Sequence, residues 1–118
     1  MTALTEMRCV ACRSDAPAAK PEEIDAWMAD IPEWDLVKVQ DIPRLRRAFR
    51  FPNFVKALEF TNLVGGLAEE EGHHPRITTE WGKVTVTTWT HAIKNLHRND
   101  FILAAKVDQA LAENATTD

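Results

Sequence analysis

The sequence predicts an α+β fold, an antiparallel sheet with helices packed on one face. Three observations lead there. Apolar residues recur at helical spacing in three separated stretches. Between these stretches lie two segments where residue character alternates about a short turn, the pattern of a β-hairpin. The order is helix, hairpin, long helix, hairpin, helix, with no repeat beyond the two hairpins.

Residues 1–20 are rich in Ala, Thr, Ser and Asp without periodicity and read as a flexible arm. Pro21-Glu22-Glu23 opens the first helix, since Pro suits a first turn and acids favour the positive end of the dipole. Ile24, Trp27, Met28 and Ile31 form its apolar stripe, and Pro32 ends it. Trp34–Val39 and Leu45–Phe51 form the first hairpin, with Asp41-Ile42-Pro43 as the turn. Asn53 caps a long helix that runs to Glu71, roughly 28 Å at 1.5 Å per residue. Its apolar stripe is wide enough to suggest deep burial or contact with another subunit. Gly72 is suited to the position just past the end. Arg76–Glu80 and Lys83–Thr90 form the second hairpin about Trp81-Gly82, and their Thr and Val content suits strands. Asn99-Asp100 starts the last helix, and the tail from Asn114 is polar and frayed.

The net charge of −4, from 18 acidic and 14 basic residues, argues against a nucleic-acid partner. Arg44, Arg46, Arg47 and Arg50 alternate with apolar residues and read as the solvated or inter-subunit face of a strand. No apolar run is long enough to span a bilayer, and Met1–Val10 lacks the pattern of a secretory signal, so the expected compartment is the cytoplasm. Cys9 and Cys12 form a lone Cys-x-x-Cys. Without a second pair they read as two thiols in the arm, with a shared metal as the alternative.

All four histidines lie between residues 73 and 97. Counting back from a Trp81-Gly82 turn puts Glu80 opposite Lys83 and His73 opposite Thr90, beside His91. His73, His74 and His91 therefore gather at the open end of the second hairpin. Two chemistries fit such a set: a three-imidazole metal site and metal-free acid/base catalysis. The residue pattern leaves both open. Glu69, Glu70 and Glu71 oppose the helix dipole just before the cluster; Glu70 and Glu71 read as a solvated acidic end. His97 reads as a surface loop residue, and Asp100 as a first-turn acid of the last helix.

At these positions the sequence resembles the pterin-4a-carbinolamine dehydratase family. Glu69, three residues, and His73-His74-Pro75 match that family's signature. Trp81 follows after five residues, His91 after nine more and Asp100 after eight more. The resemblance covers residues 21–113 as one domain and leaves Cys9 and Cys12 outside. It implies a four-stranded antiparallel sheet assembled into homodimers or homotetramers. It also implies dehydration of a tetrahydropterin hydroxylated at carbon 4a to quinonoid dihydropterin, with no metal or other cofactor. On that reading His73 and His91 are the acid/base groups, and His74 binds and orients the ring. Glu69 orients a histidine, Pro75 fixes the backbone, Trp89 and Thr90 contact the pterin, and Asp100 is scaffold. Two alternatives stand beside it: a zinc-dependent hydrolase using the same histidines, and a dimerisation cofactor of a transcription regulator.

Overall fold

The computed structural model describes residues 3–10 and 16–114. The chain forms α1 (Pro21–Met28), β1 (Asp35–Val39), β2 (Ile42–Arg50), α2 (Phe54–Glu71), β3 (Arg76–Glu80), β4 (Lys83–Thr88) and α3 (Arg98–Asn114). The four strands make one antiparallel sheet in the order β1-β2-β4-β3, with three helices packed against it. The expected element order holds throughout.

Alternation along each strand decides which side chains meet the helices. Leu45 and Phe49 of β2 and Val84 and Val86 of β4 point into the core. There they join Ala57, Phe60 and Val64 of α2 and Phe101, Ile102, Leu103, Ala104, Ala105 and Val107 of α3. Phe49, Phe51 and Phe60 form a ring cluster, with Phe60 at 4.7 Å from Phe49 and 5.2 Å from Phe51. α1 reaches α3 through Trp27 against Phe101, at 5.2 Å.

The first turn differs from expectation. Val39 pairs with Ile42, so the turn is Gln40-Asp41, and both residues have positive φ, 52° and 62°. Ile42 and Pro43 belong to β2. Two-residue hairpin turns of this kind match the twist of the flanking strands. The second hairpin turns at Trp81-Gly82 with Glu80 opposite Lys83, as counted. Gly82 has φ +70°, and a Cβ there would sit 3.0 Å from the Phe51 carbonyl oxygen. Phe51 N–H donates to Gly82 O, so the hairpin tip is tied to the end of β2. β4 stops at Thr88, two residues early, because Thr90 leaves the ladder to pair with Asn95.

α2 begins and ends as its residues dictate. The Asn53 side chain accepts a hydrogen bond from Lys56 N–H at 2.9 Å, and Gly72 closes the helix at φ +64°. The arm over residues 3–10 is docked, not loose. Leu4 is buried in the core, Cys9 N–H donates to Glu71 at 2.9 Å, and Val10 N–H donates to Asn99 at 3.0 Å. This corrects the reading of Glu71 as solvated: its side chain is 4% exposed and paired with Lys106 at 2.7 Å. Burial works to raise the Glu71 pKa, but the Lys106 ammonium and the Cys9 N–H outweigh it and hold the carboxyl below its usual range. The Cys9 thiol is pushed up to about 12, by burial first and by Glu71 second, so it stays protonated near neutrality. Cys12 lies outside the described residues, as do residues 115–118 of the expected tail.

Two of the four arginines also depart from a solvated face. Arg47 lies on the helix side of β2, where it pairs with Asp108 at 2.7 Å. Arg44, on the other side, is only 3% exposed. No described helix is long and apolar enough to cross a membrane.

Candidate active site

The site is built around the buried carboxylate of Asp100. The capping geometry of α3 explains why an acid stands there. His97 precedes the helix, and its Nδ1 accepts from Asn99 N–H at 3.0 Å. His97 N–H donates back to Asp100 Oδ2 at 3.0 Å. This is a reciprocal box in which an imidazole takes the usual place of a Ser or Thr hydroxyl. The ring must be neutral to accept at Nδ1, and burial lowers its pKa accordingly. His97 is thus 5% exposed and structural, not a surface loop residue.

Asp100 is 0% exposed and accepts three further hydrogen bonds. Thr88 Oγ1 donates to Oδ1 at 2.7 Å, and Thr90 Oγ1 donates to Oδ2 at 2.8 Å. His73 Nε2 lies 2.7 Å from Oδ1. An ionised carboxylate only accepts, so His73 carries its hydrogen on Nε2. The β4 end, the α3 start and the turn after α2 are thereby joined at one group. Asp100 is therefore far more than a first-turn acid: it holds His73, Thr88, Thr90 and His97 together.

Hairpin counting placed His73 near Thr90, and the structure brings them together by another route. The β3–β4 ladder ends at Arg76 opposite Thr87. His73 N–H instead donates to Ala68 O at the end of α2, and its ring reaches Thr90 through Asp100. His74, the next residue, points to solvent and pairs with Glu69 at 2.6 Å. The spacing of one helical turn plus the Gly72 reversal makes that contact possible. Pro75 is half-buried where β3 begins.

His91 is exposed on the turn after β4, and its ring lies 4.4 Å from that of Trp89. Trp89 is buried, with the Arg44 guanidinium 3.9 Å and that of Arg76 5.3 Å from its ring centroid. Trp81 stands at the other end of the hairpin from the histidines and is 72% exposed. Among the described residues no three His, Cys, Asp or Glu side chains gather in the manner of metal ligands. The three imidazoles are engaged separately, with Asp100, Glu69 and Trp89.

Sequence reasoning missed the hub role of Asp100 and the cap at His97. The signal was present, since an acid three residues into a helix is the return half of a capping box.

The fold is a small α+β domain that holds imidazole and carboxylate side chains where the end of α2, the end of β4 and the start of α3 meet. Residues 17–110 match the model of the family described as Pterin 4 alpha carbinolamine dehydratase, and the chain belongs to that family. A relative from Syntrophotalea carbinolica is 55% identical over 111 residues, covering 94% of this chain and 99% of its own. One from Nitrosococcus oceani is 52% identical over 111 residues, covering 94% and 98%. Both are provisionally named pterin-4-alpha-carbinolamine dehydratase. Among solved structures, a transcriptional coactivator/pterin dehydratase from Brucella melitensis superposes with a TM-score of 0.70 at 25% identity, covering 79% of this chain and 97% of that one. A pterin dehydratase-like protein described as a RuBisCO assembly factor of the alpha-carboxysome gives 0.53 at 25% identity, covering 64% and 87%.

Proposed function

We propose that the protein is a cytoplasmic pterin-4a-carbinolamine dehydratase acting in tetrahydropterin recycling. The observation that carries this reading is the trio of individually held histidines, on a chain that matches its dehydratase relatives over nearly their whole length. The substrate is a tetrahydropterin with a hydroxyl on carbon 4a. One group protonates the hydroxyl as the C4a–O bond breaks, and water leaves. A second group accepts the N5 proton, and the N5=C4a double bond of the quinonoid product forms. Solvent returns the proton from base to acid, so the reaction consumes none.

His73 and His91 are the acid/base pair in this proposal, since imidazole serves either role near neutrality. Asp100 fixes the His73 ring and its hydrogen. His74, steadied by Glu69, binds and orients the pterin from the solvent side. The rate of dehydration of a synthetic 4a-hydroxytetrahydropterin by His73→Ala, His74→Ala and His91→Ala tests the assignment. Wild-type rates in all three would remove it.

Self-association is part of the same proposal. α2 turns Phe54, Val55 and Leu58 outward at 44%, 65% and 44% exposure, and Phe54 and Leu58 belong to the stripe that the sequence left too wide for one sheet. A homodimer or homotetramer would cover them. Sedimentation of Val55→Glu/Leu58→Glu should then show a smaller species than the wild type; equal sizes would place any interface elsewhere.

A further inference from the structure

Each site histidine is held by a different device. His73 has a buried carboxylate at 2.7 Å and His74 an exposed one at 2.6 Å. His91 has neither. It stands exposed on the turn that follows β4, and no hydrogen bond to its ring occurs among the described residues. Its contact is the Trp89 ring, 4.4 Å away and tilted by 36°.

Trp89 is itself pinned. Leu45 and Thr88 are the last paired residues of β2 and β4 at this end, so Arg44 and Trp89, one step beyond them, fall on the sheet face away from the core. The Arg44 guanidinium lies 3.9 Å from the indole centroid. Arg44 is 3% exposed, and only its Nη2 donates, to Val39 O at 3.2 Å. Its Nε and Nη1 are buried without a hydrogen-bond partner among the described residues. A buried cation without a carboxylate is costly, and the indole face is the group here that offsets the charge. Such an expense is hard to explain by stability alone, because an apolar side chain of the same volume would fill the space more cheaply.

We propose that Arg44 and Trp89 are positioning residues for His91: the guanidinium fixes the indole, and the indole fixes the imidazole. This rests on the dehydratase reading. It reassigns Trp89, which the sequence suggested as a pterin contact, to the layer behind the reacting group.

The test combines kinetics with proton NMR of His91. The indole ring current shifts the His91 ring resonances upfield, a signature independent of activity. Trp89→Leu should abolish that shift and lower kcat about tenfold or more with KM little changed, as expected when a reacting group drifts by about an ångström. Trp89→Phe, which keeps a ring, should restore most of both. Arg44→Met should weaken the shift and lower kcat without lowering thermal stability. In a His91→Ala background, Trp89→Leu should have no further effect on kcat. An equal loss in that background, or a rise in KM alone, would show that Trp89 touches substrate and would overturn the positioning role. So would wild-type kcat in both Arg44→Met and Trp89→Phe with the ring-current shift lost. A wild-type rate in His91→Ala would overturn the site assignment and the positioning role together. If Trp89→Leu does not fold, the Phe and Met variants decide by the same criteria.

Discussion

Four donors converge on Asp100, two on each carboxylate oxygen, and Asp100→Asn changes what one of those oxygens is. Oδ2 faces Thr90 Oγ1 and the backbone N–H of His97, which cannot turn away. An amide nitrogen is therefore excluded there and goes to the Oδ1 position, facing Thr88 Oγ1 and His73 Nε2. The threonine hydroxyl rotates to accept. His73 must instead present a bare Nε2, which moves its hydrogen to Nδ1. The fold loses charge-assisted hydrogen bonds, and the buried Thr88 hydroxyl hydrogen loses its Asp100 acceptor, a cost of about 1–3 kcal/mol. The melting midpoint should fall by about 4 °C per kcal/mol. Catalysis suffers more, because the inverted tautomer removes a proton-transfer group of a kind that contributes roughly 10²–10⁴-fold. Stopped-flow dehydration below the melting range separates the two effects. A kcat within about threefold of wild type, in protein shown to be folded, would refute the claim that Asp100 sets the His73 tautomer.

The cap at His97 makes stability depend on pH. Burial holds its pKa below the ordinary value of 6.5, so the folded state resists a proton that the unfolded chain accepts. The stabilisation is complete above 6.5 and is lost as pH falls toward the depressed value, by up to about 1.4 kcal/mol per pH unit. His97→Ser keeps an N-cap acceptor and should flatten urea-denaturation stability between pH 7 and pH 5 relative to wild type. An unchanged slope would assign the acid sensitivity to other groups.

Much of the fold was legible because local signals agreed with tertiary demands. Asn53 and Gly72 bracket α2, and Trp81-Gly82 sets a register that places the core-facing residues of β3 and β4. The first turn was misread because Pro43 looks like a turn residue, while the residues at positive φ are Gln40 and Asp41 instead of glycine. Pro43 is tolerated because it stands at the start of β2, before pairing with β4 begins at Leu45. The site was legible as a cluster but not as a network. Spacing brought His73 toward Thr90, yet only the docking of α3 shows that Asp100 joins them. Arg44 was opaque for a related reason: a charge in an alternating strand looks solvated until a ring just past the end of the neighbouring strand covers it.

The most direct test of the whole account is the dehydration of chemically prepared 4a-hydroxytetrahydropterin, followed by absorbance, with purified protein before and after exhaustive chelation. Catalytic turnover to quinonoid dihydropterin is expected, unchanged by the chelator and reduced strongly by His73→Ala and by His91→Ala. No acceleration over the uncatalysed reaction by the folded wild-type protein, or activity that vanishes with the chelator and returns with zinc, would contradict it.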